Sequence, residues 1–120
     1  MTSINKIIDG KKYAEKLLEE IYPLSKGFLD DFNRKPSLTV IQVGDNPASK
    51  IYVKNKILTA KNNGIESKEI LLASDVSESE LIHHISILNK DENVDGILVQ
   101  LPLPKHISEK KIINIIDPSK

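Results

Sequence analysis

Three strand-like runs occur at Ser37–Val43 ("SLTVIQV"), at about Ser67–Ala73 and at Val94–Leu101, each separated from the next by a segment with helical periodicity, and Ile97, Leu98 and Val99 of the last are apolar and rich in β-branched residues. Runs that are apolar at successive positions belong to strands covered on both faces. Strands joined through helices pair in parallel by right-handed crossovers, which place helices on both sides of the sheet. The spacing therefore predicts an α/β fold, a three-layer α/β/α arrangement around a small, mainly parallel sheet.

The helical segments carry their own punctuation. From Gly10, apolar residues recur at Tyr13, Ala14, Leu17, Leu18 and Ile21, with Asp9 able to cap the start. Pro23 interrupts this pattern before Leu24, Phe28 and Phe32 resume it, so a kink or two helices is expected. A second helix should run from about Ala48 to Asn63, with Asp45 or Asn46 as cap, Pro47 in the first turn and Gly64 closing it. Ser77 and Glu80 have the spacing of a capping box, opening a third helix with Leu81, Ile82, Ile85 and Leu88 inward. A last short helix is expected over Ser108–Ile116. The sequence then stops after "DPSK" in what reads as the middle of a connection, the pattern of a fragment.

Composition narrows the class of partner. The 120 residues fit one domain with a core of its own, and no apolar run approaches the length of a membrane span. The start, "MTSINKIIDG", lacks the basic region and apolar stretch of a secretory leader, and there is no cysteine, so a cytoplasmic protein is expected. Lys plus Arg equals Asp plus Glu at 17 each, with only three Tyr and two Phe. Neither a basic surplus nor a stacking platform is present, so no nucleic-acid partner is expected. A small molecule or a protein is the better expectation.

In open α/β sheets ligands bind outside the carboxyl ends of the strands. Gln100 stands at such an end in "DGILVQLPLP", with Pro102 and Pro104 stiffening the exit. In "SKIYVKNK", after the first strand, Tyr52 and Lys56 are four residues apart and Ser49 lies three before Tyr52, so the three share one helical stripe bordering the same edge. A phenol, an amine and an amide could converge there. An amine moved out of water can act as a base near neutrality, and an amide can hold it without locking it as ammonium. Taken singly the features are commonplace: Tyr-x-x-x-Lys is usually a surface pair, and a strand-end Gln usually a satisfied turn residue. The adjacent His83 and His84 point apart and cannot clamp one metal, and His106 lies in a loop that could reach the crevice. No metal site is expected. The glycines fall at 10, 27, 44, 64 and 96, so there is no Gly-x-Gly-x-x-Gly cradle and no cofactor-binding residue is assigned in this chain.

At these residues the chain resembles a known family. "VGDNPASKIYVKNKILTAKNNGI" and "VDGILVQLPLPKHI" are similar to both signature segments of the bifunctional methylenetetrahydrofolate dehydrogenase/methenyltetrahydrofolate cyclohydrolases, and "IIDGKKYAEKL" and "IIDPSK" fit in order and spacing. The resemblance covers nearly the whole chain. It implies an amino-acid-dehydrogenase-like N-terminal domain over 1–120 that binds tetrahydrofolate, with an NADP-binding Rossmann domain in the parent but absent here. It also implies that an Asp-Val-Asp-Gly-Phe-like stretch, whose second Asp anchors the pterin, should follow.

The family oxidises 5,10-methylenetetrahydrofolate with NADP to the methenyl cation and hydrolyses that to 10-formyltetrahydrofolate, within one-carbon metabolism and purine biosynthesis. By resemblance, Lys56 is the acid/base residue, Gln100 holds and tunes it, and Tyr52 packs on the folate. Ser49 supports Lys56, and Val99, Leu101 and Pro102 shape the pocket. Tetrahydrofolate derivatives are the implied partners, the parent is expected to be a homodimer, and the isolated fragment is expected to be inactive as a dehydrogenase. A non-catalytic α/β binding module and a dehydrogenase-only relative remain the alternatives.

Overall fold

A computed structural model describes residues 6–120; the first five residues of the leader reading lie outside them. Asp9 caps the first helix, α1 (Gly10–Phe32), by accepting from the Lys12 amide at 3.1 Å. Asn33 ends it in the left-handed conformation, its N–H reaching the Leu29 carbonyl at 2.9 Å. Of the kink or two helices expected at Pro23, the two helices are not found: α1 is one helix with Pro23 inside it. Pro23 and Glu19, whose carbonyl loses its partner, both lie on the exposed side, where water can take the missing bond.

Strand β1 (Ser37–Val43) follows with the expected bounds. Asn46 caps α2 (Pro47–Asn62), accepting from the amides of Ala48 and Ser49. Next come β2 (Glu66–Leu72), then α3 (Glu78–Lys90), where Ser77 accepts from the Glu80 amide at 3.1 Å. β3 (Gly96–Val99) is shorter than expected, and α4 (Glu109–Ile115) closes the order. The sheet is β2-β1-β3, parallel throughout.

That order fixes the layers. The chain crosses from β1 to β2 by α2 and returns past β1 to β3 by α3. Right-handed crossovers in opposite directions put the two helices on opposite faces. Along β1, Leu38, Val40 and Gln42 alternate with Thr39, Ile41 and Val43, and all but Leu38 are buried. Ile41, Val43, Ile97 and Val99 pack with Leu81, Ile85 and Leu88 of α3 and Ile112 of α4 in the main core. Val53 and Ala60 are the buried apolar residues of α2, over the other face.

Three polar ties lock the frame. Arg34 grips Asp95 through both nitrogens, at 2.7 and 2.9 Å, and Asp95 also accepts from the Ser37 amide, joining the end of α1 to the starts of β1 and β3. Glu78 in the first turn of α3 accepts from the Ser108 amide at 2.9 Å and pairs with Lys111, drawing the start of α4 onto α3. Those bonds, the Ser108 amide foremost, hold its carboxyl below the usual range. The tail is fastened as well. The Lys120 ammonium donates to the carbonyls of Leu88, Asp91 and Val94, and its own carbonyl accepts from the Ile97 amide at 3.2 Å, beside β3. No helix among the described residues is long and apolar enough to cross a membrane.

Two outcomes follow from this frame. The Asp95 carboxyl lies below its ordinary value of 3.8, chiefly through the Arg34 hydrogen bonds. Its stabilisation is therefore complete above that value and disappears as pH falls through the lower folded one. Asp95→Asn should lose about 1 kcal/mol at neutral pH, because both partners remain about a third exposed to screening solvent. Denaturant melts at neutral and strongly acid pH should show the mutant and parent converging in acid; a pH-independent difference would refute the account. Gly64 has φ +77°, and an added Cβ would lie 3.1 Å from Ser25 Cβ on α1. Gly64→Ala should cost about 1–2 kcal/mol by thermal melting, from the left-handed backbone alone.

Candidate functional site

α2 and β3 reach the same end of the sheet by different routes. The turn after β1 is made tight by Gly44 and capped by Asn46, so α2 starts directly above the carboxyl end of β1. β3 lies against β1 with Ile41 opposite Val99, and the Gln100 amide donates to the Ile41 carbonyl at 2.8 Å. Gln100 thus extends the β1 pairing one residue beyond β3. Alternation turns its side chain to the face of Leu98, opposite to that of Ile97 and Val99.

There the Lys56 ammonium nitrogen donates to Gln100 Oε1 at 2.7 Å, across 44 residues of sequence. Gln100 Nε2 donates to the Leu101 carbonyl at 3.1 Å, which fixes the amide with its oxygen towards the lysine. Among the described residues no carboxylate pairs with Lys56. An uncharged acceptor therefore holds the amine in place.

The other expected residues divide. Tyr52, 58% exposed, stands one turn before Lys56 and offers an open aromatic face. Ser49 is buried two turns before Lys56 on the same stripe. Leu101 and Pro102 are exposed and leave the end of β3 joined by a cis peptide bond. Val99 is different: its side chain lies in the core against α3 and α4, on the far face from Gln100, so only its backbone can border the site. His106 does not turn to the crevice; its Nε2 donates to the Val76 carbonyl at 2.7 Å and ties the loop to α3's approach. Lys56 itself is exposed, so the burial expected to favour an uncharged amine is not supplied by these residues.

The sequence reading missed the surface beside the lysine. An apolar groove of about 470 Å³ runs between α1 and α2 over the sheet, with Leu38 and Leu98 as floor, Leu18 and Ile21 of α1 as one wall, and Tyr52 and Lys56 on the other. Its signal was present in the alternation of β3, which puts Leu98 on the same face as Gln100. A larger concavity, about 720 Å³ along Ile7–Glu19, carries none of these groups. Among the described residues no cluster of three or more His, Cys, Asp or Glu forms a metal-ligand set. No glycine pair builds a phosphate cradle. The chemistry on offer is that of an amine held by a neutral amide above an apolar, aromatic-edged groove.

Comparison with known proteins places this arrangement. The bifunctional protein FolD of Anaplasma phagocytophilum is 52% identical over 116 residues, 97% of this chain and 38% of that protein. The crystal structure of the FolD methylenetetrahydrofolate dehydrogenase/cyclohydrolase from Campylobacter jejuni superposes with a TM-score of 0.88 at 43% identity, covering 93% of this chain and 39% of the other. The Trypanosoma brucei methylenetetrahydrofolate dehydrogenase-cyclohydrolase, solved with NADP and an inhibitor, gives a TM-score of 0.85 at 29% identity, covering 93% of this chain and 38% of that one. The chain spans well under half the length of the curated relatives it matches. Residues 8–120 match the tetrahydrofolate dehydrogenase/cyclohydrolase catalytic domain, and it is to this family that the chain belongs.

Proposed function

We propose that residues 1–120 form the tetrahydrofolate-binding catalytic domain of an enzyme that oxidises 5,10-methylenetetrahydrofolate and hydrolyses the methenyl product to 10-formyltetrahydrofolate. The observation that carries this reading is the 2.7 Å bond from Lys56 to Gln100 at the mouth of the apolar groove. The groove suits a flat, largely apolar ring system, and Tyr52 at its edge suits a stacked contact. Lys56 is the acid/base group. It takes a proton from the water that attacks the methenyl carbon and returns one to the departing ring nitrogen.

Gln100 serves this chemistry because it is neutral. A carboxylate in its place would hold Lys56 as ammonium, which repels a cationic intermediate and cannot activate water. Leu101 and Pro102 border the ligand, Ser49 backs the α2 stripe, and Val99 contributes backbone alone. The retention of both Lys56 and Gln100 favours hydrolysis alongside oxidation over a dehydrogenase-only protein. NADP supplies the hydride acceptor in the oxidation, and these residues offer it no cradle. Its binding is assigned to the further length that the relatives possess, in a Rossmann domain. The fragment alone is then inactive as a dehydrogenase. The same further length would cover Lys56 and complete its desolvation. The enzyme is placed in the cytoplasm, within one-carbon metabolism leading to purines, and its parent is read as a homodimer.

Two measurements test the reading. Titration calorimetry of this chain with a folate analogue should detect binding, weakened about tenfold by Tyr52→Ala; equal affinity for both would move the folate elsewhere. In the full-length enzyme, Lys56→Met should lower cyclohydrolase turnover by about 10²–10⁴. Undiminished hydrolysis would remove Lys56 from the mechanism and leave a binding module.

A further inference from the structure

Gln42 is the one fully buried amide on β1. It is 1% exposed, and among the described residues neither its Nε2 nor its Oε1 has a hydrogen-bond partner. A buried amide left unpaired is destabilising, and an apolar side chain of the same size would avoid that cost. Its position is informative. With Ile41 opposite Val99 and the Gln100 amide donating to the Ile41 carbonyl, Gln42 on β1 lies beside Gln100 at the end of β3. Residues at one level of neighbouring parallel strands point to the same face, about 4.8 Å apart. Both side chains therefore rise from the sheet face that α2 covers.

On its other flank Gln42 borders a cavity of about 360 Å³ edged by Lys50 and Lys54 of α2 and Glu69 of β2. None of those groups bonds to it: Lys50 pairs with Asp45, and neither Lys54 nor Glu69 partners either amide atom. Satisfying the amide from that side would take a lysine and a carboxylate together, since the one only donates and the other only accepts. A second amide does both at once. Gln100 has the capacity: Nε2 spends one N–H on the Leu101 carbonyl and keeps another, and Oε1 is held by Lys56 alone.

We propose that Gln42 is a positioning residue for the lysine chemistry, the alternative partner that Gln100 takes when Lys56 leaves it for the substrate. Gln42 Nε2 then donates to Gln100 Oε1, and the spare N–H of Gln100 Nε2 donates to Gln42 Oε1. The release of Lys56 no longer strands an acceptor. The exchange closes two unpaired atoms as it opens one bond. The inference rests on the assignment of Lys56 and Gln100 above.

The test is a double-mutant cycle on cyclohydrolase activity in the full-length enzyme, using Gln42→Met and Gln100→Leu. Gln42→Leu stands as a second variant should the first fail to fold. Gln42→Met should raise the melting temperature, because an unsatisfied amide is replaced by an apolar chain of similar volume. It should lower kcat about three- to tenfold, the worth of one exchanged hydrogen bond, with KM for the folate unchanged. The pH–rate profile should move with kcat, a change that better packing alone would not produce. In the Gln100→Leu background the same change should have no further effect on kcat. Equal losses in both backgrounds, or no loss with Gln100 intact, would overturn the proposal while leaving Lys56 and Gln100 in place. If Gln100→Leu itself left activity and its pH profile unmoved, the Gln100 assignment and this inference would fall together.

Discussion

Strand β1 hydrogen-bonds along its length to β2 on one side and to β3 on the other, both in parallel, and every other element takes its place from that double pairing. A strand flanked on both edges must be covered on both faces, which is why "SLTVIQV" is buried at all positions but Leu38 and why helices pack above and below it. The order β2-β1-β3 also reverses direction at β1. The connection leaving β1 goes to one side and β3 arrives on the other, so the carboxyl ends of β1 and β3 border a crevice that no crossover fills. Lys56 enters it from α2 and Gln100 from β3.

Much of this was legible in the residues. The bounds of β1, the caps at Asp9, Asn46 and Ser77, and the inward face of α3 all follow from local signals that do not depend on the rest of the fold. The convergence of Lys56 with Gln100 followed from topology alone, before any distance was known. What escaped depended on tertiary surroundings. Pro23 reads as a break, yet its place on the exposed side of α1 lets solvent replace the missing bond. The resemblance implies Val99 as a pocket residue, but alternation sends its side chain to the opposite face. The groove needed α1 to lie alongside α2; the apolar stripe of α1 through Leu18 and Ile21 marks a face to be covered but not the element that it meets.

The exposure of Lys56 separates two requirements of the proposed chemistry. Placing an amine requires a rigid frame, and this domain has one: a strand end pinned by Ile41, an amide pinned by Leu101, and a helix capped by Asn46. Favouring the uncharged amine requires exclusion of water, and an open crevice at a sheet edge cannot provide that alone. Geometry and desolvation are thus separable. These residues supply the first, and in the proposed function the second comes with the ligand.

That separation gives a physical reason for an amide in place of a carboxylate at position 100. A carboxylate would bind the exposed ammonium more tightly and leave it charged when the site closed, so that closure would bury an ion pair. A glutamine holds the amine in register through a bond weak enough to exchange, and carries no charge into the closed site. Under the proposed chemistry the Lys56–Gln100 contact works as a placement device whose value lies in being reversible. On the proposed exchange, the unpaired amide of Gln42, one strand away on the same face, lowers the cost of reversal by offering a donor to the acceptor that Lys56 vacates.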